Sequence, residues 1–184
     1  MARSKRDHAS GSNSESFFGT DFAMGYNDLT NLNHDQELAV SLGNLVVSWA
    51  YAESSLVCVL ARVSSMNINM AMYGYYRIPT FEARRKFIQA LMIEWKTTSF
   101  DKDAIAKEVD GLSDLSLSRN DWIHGVWCNN DEKPETVIFD FRRHEDKGRR
   151  KPVKAADVRN HNEAVVKRAR EIDRLIRRAE LTGD

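Results

Sequence analysis

The chain has 184 residues, with 27 Lys or Arg balancing 27 Asp or Glu; apolar residues make up 42% and charged residues 29%. That suits one domain of ordinary size with a single core. No run of 18 or more apolar residues occurs, so no membrane span is expected.

The charge is unevenly spread. Residues 141–184 hold 14 Lys and Arg against 8 Asp and Glu, a surplus of six, and the rest of the chain carries the matching deficit, 13 against 19. A basic C-terminal third can hold a polyanion even when the whole chain is neutral, although a solvated helix face accounts for the same counts more simply. Cys58 and Cys128 are far apart and lack metal-ligand spacing. They read as reduced thiols of a cytoplasmic protein rather than as a disulfide.

Residues 1–33 read as a mobile tail that precedes a domain over 34–184. The tail begins MARSKRDHASGSNSES, basic and polar with no apolar segment behind it, and so is not read as a secretory signal. Its second half holds Phe17, Phe18, Phe22 and Tyr26, aromatics suited to docking on the domain or on a second copy of it. A long helix is expected from Asn33, where Asn33 and Gln36 resemble a capping box. Leu38, Leu42, Leu45, Trp49, Leu56, Leu60 and Val63 form its stripe. Glu53 falls inside that stripe, where a carboxylate either finds a partner or reaches solvent at the stripe's edge.

Residues 64–80 read as a connector with room for a helical turn. Pro79 and Thr80 then start a second helix, FEARRKFIQALMIEW, with Phe81, Phe87, Ile88, Leu91, Met92 and Trp95 turned inward. A third helix is expected from Lys102 to His124 on the stripe Ile105, Val109, Leu112, Leu115, with Gly125 as its stop. VWCNN and TVIFDF read as a hairpin. A basic loop, RRHEDKGRRK, leads to a last helix over Ala155–Leu181 with the stripe Val158, Val165, Ala169, Ile172, Ile176, Ala179. The sum is an all-α four-helix bundle with a small β-hairpin before the last helix.

The stretch SLSRNDWIHGVW, residues 116–127, sets an arginine, an amide and a histidine at the end of the third helix. Asn120 and His124 share a helix face, whereas Arg119 and His124 diverge by about 140° around the axis. A guanidinium offers planar donors suited to a phosphate, and an imidazole moves protons near neutral pH. The plainer account is equally physical. A histidine in a last turn favours the helix dipole, a glycine ends the helix, and Arg119 pairs with Glu53 to satisfy it. His8, His34, His144 and His161 are scattered, and neither a glycine-rich phosphate loop nor a G-x-S-x-G elbow occurs, so no metal or cofactor is expected.

RNDWIHG resembles the R-(polar)-x-x-x-H signature of HEPN domains, the "higher eukaryote and prokaryote nucleotide-binding" superfamily. SWAYAESSL in the first helix, FEARRKFIQAL opening the second and HGVW leading into an extended segment agree with stand-alone HEPN-like proteins. The resemblance covers roughly residues 35–181. It implies an all-α bundle that forms a homodimer through the motif-bearing helices. The activity it implies is that of a metal-independent endoribonuclease of toxin or antiviral-defence type, cleaving RNA by 2′-hydroxyl attack at a composite dimer-interface site. An antitoxin or a nucleotidyltransferase is the regulatory partner such proteins suggest. Carried over by position, Arg119 contacts the scissile phosphate, His124 is the general base or acid, and Asn120 orients the phosphate or the histidine. Glu53, added on its chemistry alone, is the candidate group holding Arg119. Arg142, Arg143, Arg149, Arg150 and Lys151 are the candidate RNA-binding cations. The alternative is a non-catalytic module of the same fold that dimerises or binds a nucleotide or partner. A third reading is a nucleic-acid-binding accessory using the basic loop and last helix, where aromatic residues for base stacking are few.

Overall fold

The computed structural model describes residues 26–28, 31–94, 101–130, 135–139 and 150–181. A short strand, β1 (Tyr26–Asp28), precedes the first helix, α1 (Gln36–Ser64). The cap of α1 is Asp35 rather than the expected Asn33. The Asp35 carboxylate accepts the Leu38 N–H at 2.9 Å, while the Asn33 N–H turns back to the Asn31 side chain. At its far end α1 stops on Ser65, a left-handed residue (φ 55°), and the Met66 N–H returns to the Ala61 carbonyl.

Where the connector has room for a helical turn it holds a full helix, α2 (Ile68–Arg77), capped by the Asn67 side chain at the Met70 N–H. There follow α3 (Phe81–Glu94), whose first turn is capped by Thr80, then α4 (Lys102–His124), capped by Asp101. The described residues therefore hold five helices once α5 (Ala155–Leu181) is counted, one more than expected. Phe87, expected to face inward, is 41% exposed, because Ile88 and Met92 alone are fully buried from α3. Trp95 lies outside the described residues.

The expected hairpin is present as β2 (Val126–Asn130) and β3 (Thr136–Phe139), antiparallel, with Cys128 opposite Val137. Two short edge strands widen it. β1 pairs with β2, and β4 (Arg150–Pro152) pairs with β3, giving a four-stranded sheet in the order β1-β2-β3-β4. Residues 26–28, placed in the tail by the sequence, are thus part of the sheet.

Helix α5 lies parallel to α1, as shown by the pairs Arg159–Glu37, Asn162–Ser41 and Asp173–Tyr51. It runs antiparallel to α4, through His161 to the Leu115 carbonyl and Arg168 to Glu108. The main core gathers Leu56, Leu60, Ile88, Leu112, Val165 and Ile172 between these helices. A second cluster, with Leu38, Leu45, Ile138, Val153 and Val158, seats the sheet on the start of α1 and α5. By length and composition α1 is apolar enough to cross a membrane, yet half of its most apolar window is buried inside this fold, as befits the helix that others pack around.

Candidate functional site

The inward stripe of α4 runs through Ile105, Val109, Leu112 and Ser116 and then ends. From Arg119 to Trp122 the helix is half-buried, and Ile123 and His124 are exposed. The polar motif therefore falls where α4 leaves the core and meets the sheet.

Two tryptophans brace that end. The Trp127 indole N–H donates to the Trp122 carbonyl at 3.1 Å, and the Gly125 N–H donates to the Asp121 carbonyl at 2.8 Å. Two of the last four carbonyls of α4, which have no acceptor role left within the helix, are satisfied in this way. The Trp122 ring meets the His161 ring edge-on, with centroids 4.9 Å apart.

Gly125 does not end the helix by adopting a left-handed backbone; its φ is −78°. It is needed for room. A Cβ there would lie 2.7 Å from the Asp121 carbonyl oxygen and 3.0 Å from Ile138 Cγ1. Gly125→Ala is therefore expected to cost about 1–3 kcal/mol of stability through overpacking, read as a lowered urea midpoint with an unchanged slope.

His161, scattered in the sequence, is a structural partner of the motif helix. Its Nε2 sits 2.9 Å from the Leu115 carbonyl, which can only accept, so Nε2 carries the proton. Its Nδ1 is buried without a hydrogen-bond partner. Burial holds the His161 pKa below the ordinary histidine range, against the smaller opposing effect of the Leu115 hydrogen bond. The unfolded chain thus binds this proton more readily than the folded one. Stability should be fully present above the unfolded value of about 6.5 and fall as pH drops below it. Melting temperatures from pH 7.5 to 5 should show that fall in the native protein and a flatter profile in His161→Gln.

Within the motif, Arg119 Nη1 donates to Asn120 Oδ1 at 3.0 Å, and its guanidinium lies 5.7 Å from the Trp49 ring centroid. Trp49 packs on its other neighbour, Phe81, at 5.0 Å. His124 has no hydrogen bond or ion pair among the described residues and points to solvent from the last turn. One chain thus brings Arg119 and Asn120 together on the Trp49 side and leaves His124 about 7.5 Å further along the axis, open to solvent.

Glu53 is placed elsewhere. It forms an ion pair with Arg84 of α3 at 2.6 Å, not with Arg119. The reason is geometric. Arg84 also donates Nε to the Ile78 carbonyl at 2.8 Å and stacks over Tyr75 and Tyr76, so it arrives at Glu53 already anchored. Tyr75 is fully buried beside this pair, and burial drives its phenol pKa far above the ordinary tyrosine range. Spacing could not have named Arg84 as the partner, because nothing in a helical period says which neighbouring helix lies opposite Glu53.

Of the candidate RNA-binding cations, Lys151 is exposed on β4 and reaches toward Asp121 of the motif helix, with Nζ 3.7 Å from the carboxylate. Arg150 belongs to the same strand; its side chain, like Arg142, Arg143 and Arg149 altogether, lies outside the described residues. Among the described residues no group of three or more His, Cys, Asp or Glu side chains gathers as a metal site would require.

No protein-family model, curated protein or solved structure matches this chain.

Proposed function

We propose that this protein is a metal-independent endoribonuclease of toxin or defence type, acting as a homodimer in which the ends of two α4 helices form one cleft. The observation that carries this reading is an exposed His124 in the same last turns as an oriented Arg119–Asn120 pair. An exposed imidazole with no hydrogen-bond partner among the described residues is open to contact with a substrate. A guanidinium held by an amide keeps most of its donors free for a phosphate.

The chemistry needs no external nucleophile. The ribose 2′-hydroxyl attacks the adjacent phosphorus as one imidazole takes its proton. The bond to the leaving 5′-oxygen breaks as a second, protonated imidazole donates to that oxygen. The products are a 2′,3′-cyclic phosphate and a 5′-hydroxyl. The attacking group is tethered to the substrate, which supplies the proximity advantage. One chain offers one histidine in the motif, so two copies related by a two-fold axis supply the acid and the base. Arg119 from each copy stabilises the extra charge on the phosphorane.

The test is product chemistry. Purified protein incubated with RNA in excess chelator should leave termini that resist phosphatase until the cyclic ester is opened by acid. New 5′ ends that kinase labels only after phosphatase treatment, as a 5′-phosphate left by an external nucleophile would require, or cleavage abolished by chelator, would remove the mechanism.

A second reading has its own observation. Arg119 lies over Trp49 and bonds its neighbour Asn120, contacts that equally suit a structural bridge between α4 and α1. On that reading the fold is a non-catalytic dimerisation or nucleotide- or partner-binding module. An antitoxin or nucleotidyltransferase remains a proposed regulatory partner under either reading.

A further inference from the structure

A second cationic surface lies on the other side of α5, away from the motif. Where α1 and α5 run side by side, an open trough of about 820 Å3 passes into a second of about 400 Å3, the two sharing Tyr51, Arg170 and Arg174. Its walls are apolar in part, with Val47 from α1 and Val166 from α5, and Ser48 and Asn162 lie at its floor. The Asn162 amide is buried and already committed, donating to the Ser41 carbonyl and accepting from Ser48.

Along the trough α5 presents Lys167, Arg170, Arg174 and Arg177. On a helix these positions form one row with a cation every turn, about 4.5–6 Å apart. All four are exposed. Three carboxylates stand among them. Glu171 accepts from Arg174 at 2.5 and 2.8 Å, Asp173 accepts the Tyr51 hydroxyl at 2.6 Å, and Glu163 lies at the end of the row. Lys167, Arg170 and Arg177 form no ion pair among the described residues. Arg178 adjoins the far end and has contacts of its own.

With Arg178 counted, five cations face three carboxylates in the trough, a surplus of two that favours an anion. Their row suits a linear polyanion better than a compact one, because the trough is open along its length. Arginine forks match phosphate oxygens in two-point contacts. The Tyr51 ring, tethered through its hydroxyl, stands in the middle of the row. It supplies the aromatic platform that α5 itself lacks, and an aromatic among phosphate-spaced cations is the pattern that holds single strands. We infer that the α1–α5 trough binds single-stranded nucleic acid, with the backbone on Lys167, Arg170, Arg174 and Arg177 and a base on Tyr51.

The trough is distinct from the motif. Counting from the level where His161 meets Leu115, His124 lies about 13 Å toward the sheet and Arg174 about 20 Å the other way. Its biological sense rests on the RNA reading above, but its test does not.

The probe is a labelled 2′-O-methyl oligoribonucleotide, which has no free 2′-hydroxyl and cannot be cut by the proposed reaction. Anisotropy titrations across a salt series should show binding that weakens linearly on a log–log plot. Arg170→Gln/Arg177→Gln should weaken binding at least tenfold at low salt and reduce that slope by about 1.4 if each arginine meets one phosphate. Tyr51→Ala should weaken binding several-fold. Both arginines are exposed, so melting curves should be unchanged. Native affinity in the double variant, or an unaltered slope, overturns the inference. So does equal binding of a matched duplex, a mononucleotide or polyglutamate. A native protein that binds the strand but cleaves no RNA would count against the nuclease reading alone.

Discussion

His124→Ala should lower RNA cleavage by at least about 100-fold, the usual worth of a positioned general acid or base, with stability changed by no more than about 0.5 kcal/mol. The small stability term follows from its setting. His124 is exposed, in the last turn of α4, with no hydrogen bond or ion pair among the described residues. Its removal loses only a favourable interaction with the helix dipole. Arg119→Ala should cost about 100- to 1000-fold in cleavage, and Arg119→Lys should not restore it, because a point charge cannot replace a planar fork. Arg119 also covers Trp49, so a loss of about 0.5–1 kcal/mol of stability is expected with it. Single-turnover cleavage and thermal melts on the same samples separate the two. Native cleavage by both variants ends the nuclease proposal. A strong drop in melting temperature for His124→Ala would make it a structural residue and favour the non-catalytic module.

The second large effect is on stability. Glu53→Ala and Arg84→Ala should each cost about 2–3 kcal/mol, somewhat below the value for a fully buried pair, since the two side chains are 16% and 14% exposed. Each removal strands the other charge between α1 and α3. Arg84→Ala also loses the hydrogen bond to the Ile78 carbonyl and the stacking over Tyr75 and Tyr76. Replacing both charges, as in Glu53→Leu/Arg84→Met, should recover most of the loss, because two apolar side chains of similar size need no partner. Chemical denaturation of the native protein, Glu53→Leu, Arg84→Met and their double variant gives the coupling directly. Cleavage measured where all four are folded should be unaltered. A Glu53→Gln protein of native stability but impaired cleavage would return Glu53 to the motif as a support for Arg119.

The sequence carried the long elements well. The stripes of α1, α3, α4 and α5 and the pairing of β2 with β3 were legible because burial on one face imposes a period. Helix α2 reads as no more than a turn for the same reason. It buries only Ala71 and Tyr75, so its other apolar residues, Met70, Met72 and Tyr73 among them, carry no stripe. Strands β1 and β4 are three residues each, too short to show alternation. The cap of α1 slipped by two residues, since Asn33 and Asp35 are both good caps and only the observed hydrogen bond chooses. The motif positions were visible from residue type and placement. Their surroundings were not: Trp49 over Arg119, His161 against Trp122 and Arg84 at Glu53 are contacts between distant parts of the chain.

The first long helix finds its side-by-side companion only in the last one. Until α5 has been synthesised, the apolar stripe from Leu38 to Val63 lacks the wall formed by Val158, Val165, Ala169 and Ile172. A nascent chain that has reached His124 therefore holds the motif on a helix whose neighbours are incomplete. Closure waits for some fifty further residues, with the slow, long-range search that such late pairing entails. Truncation anywhere before Ile172 should yield an aggregating fragment rather than a smaller working domain.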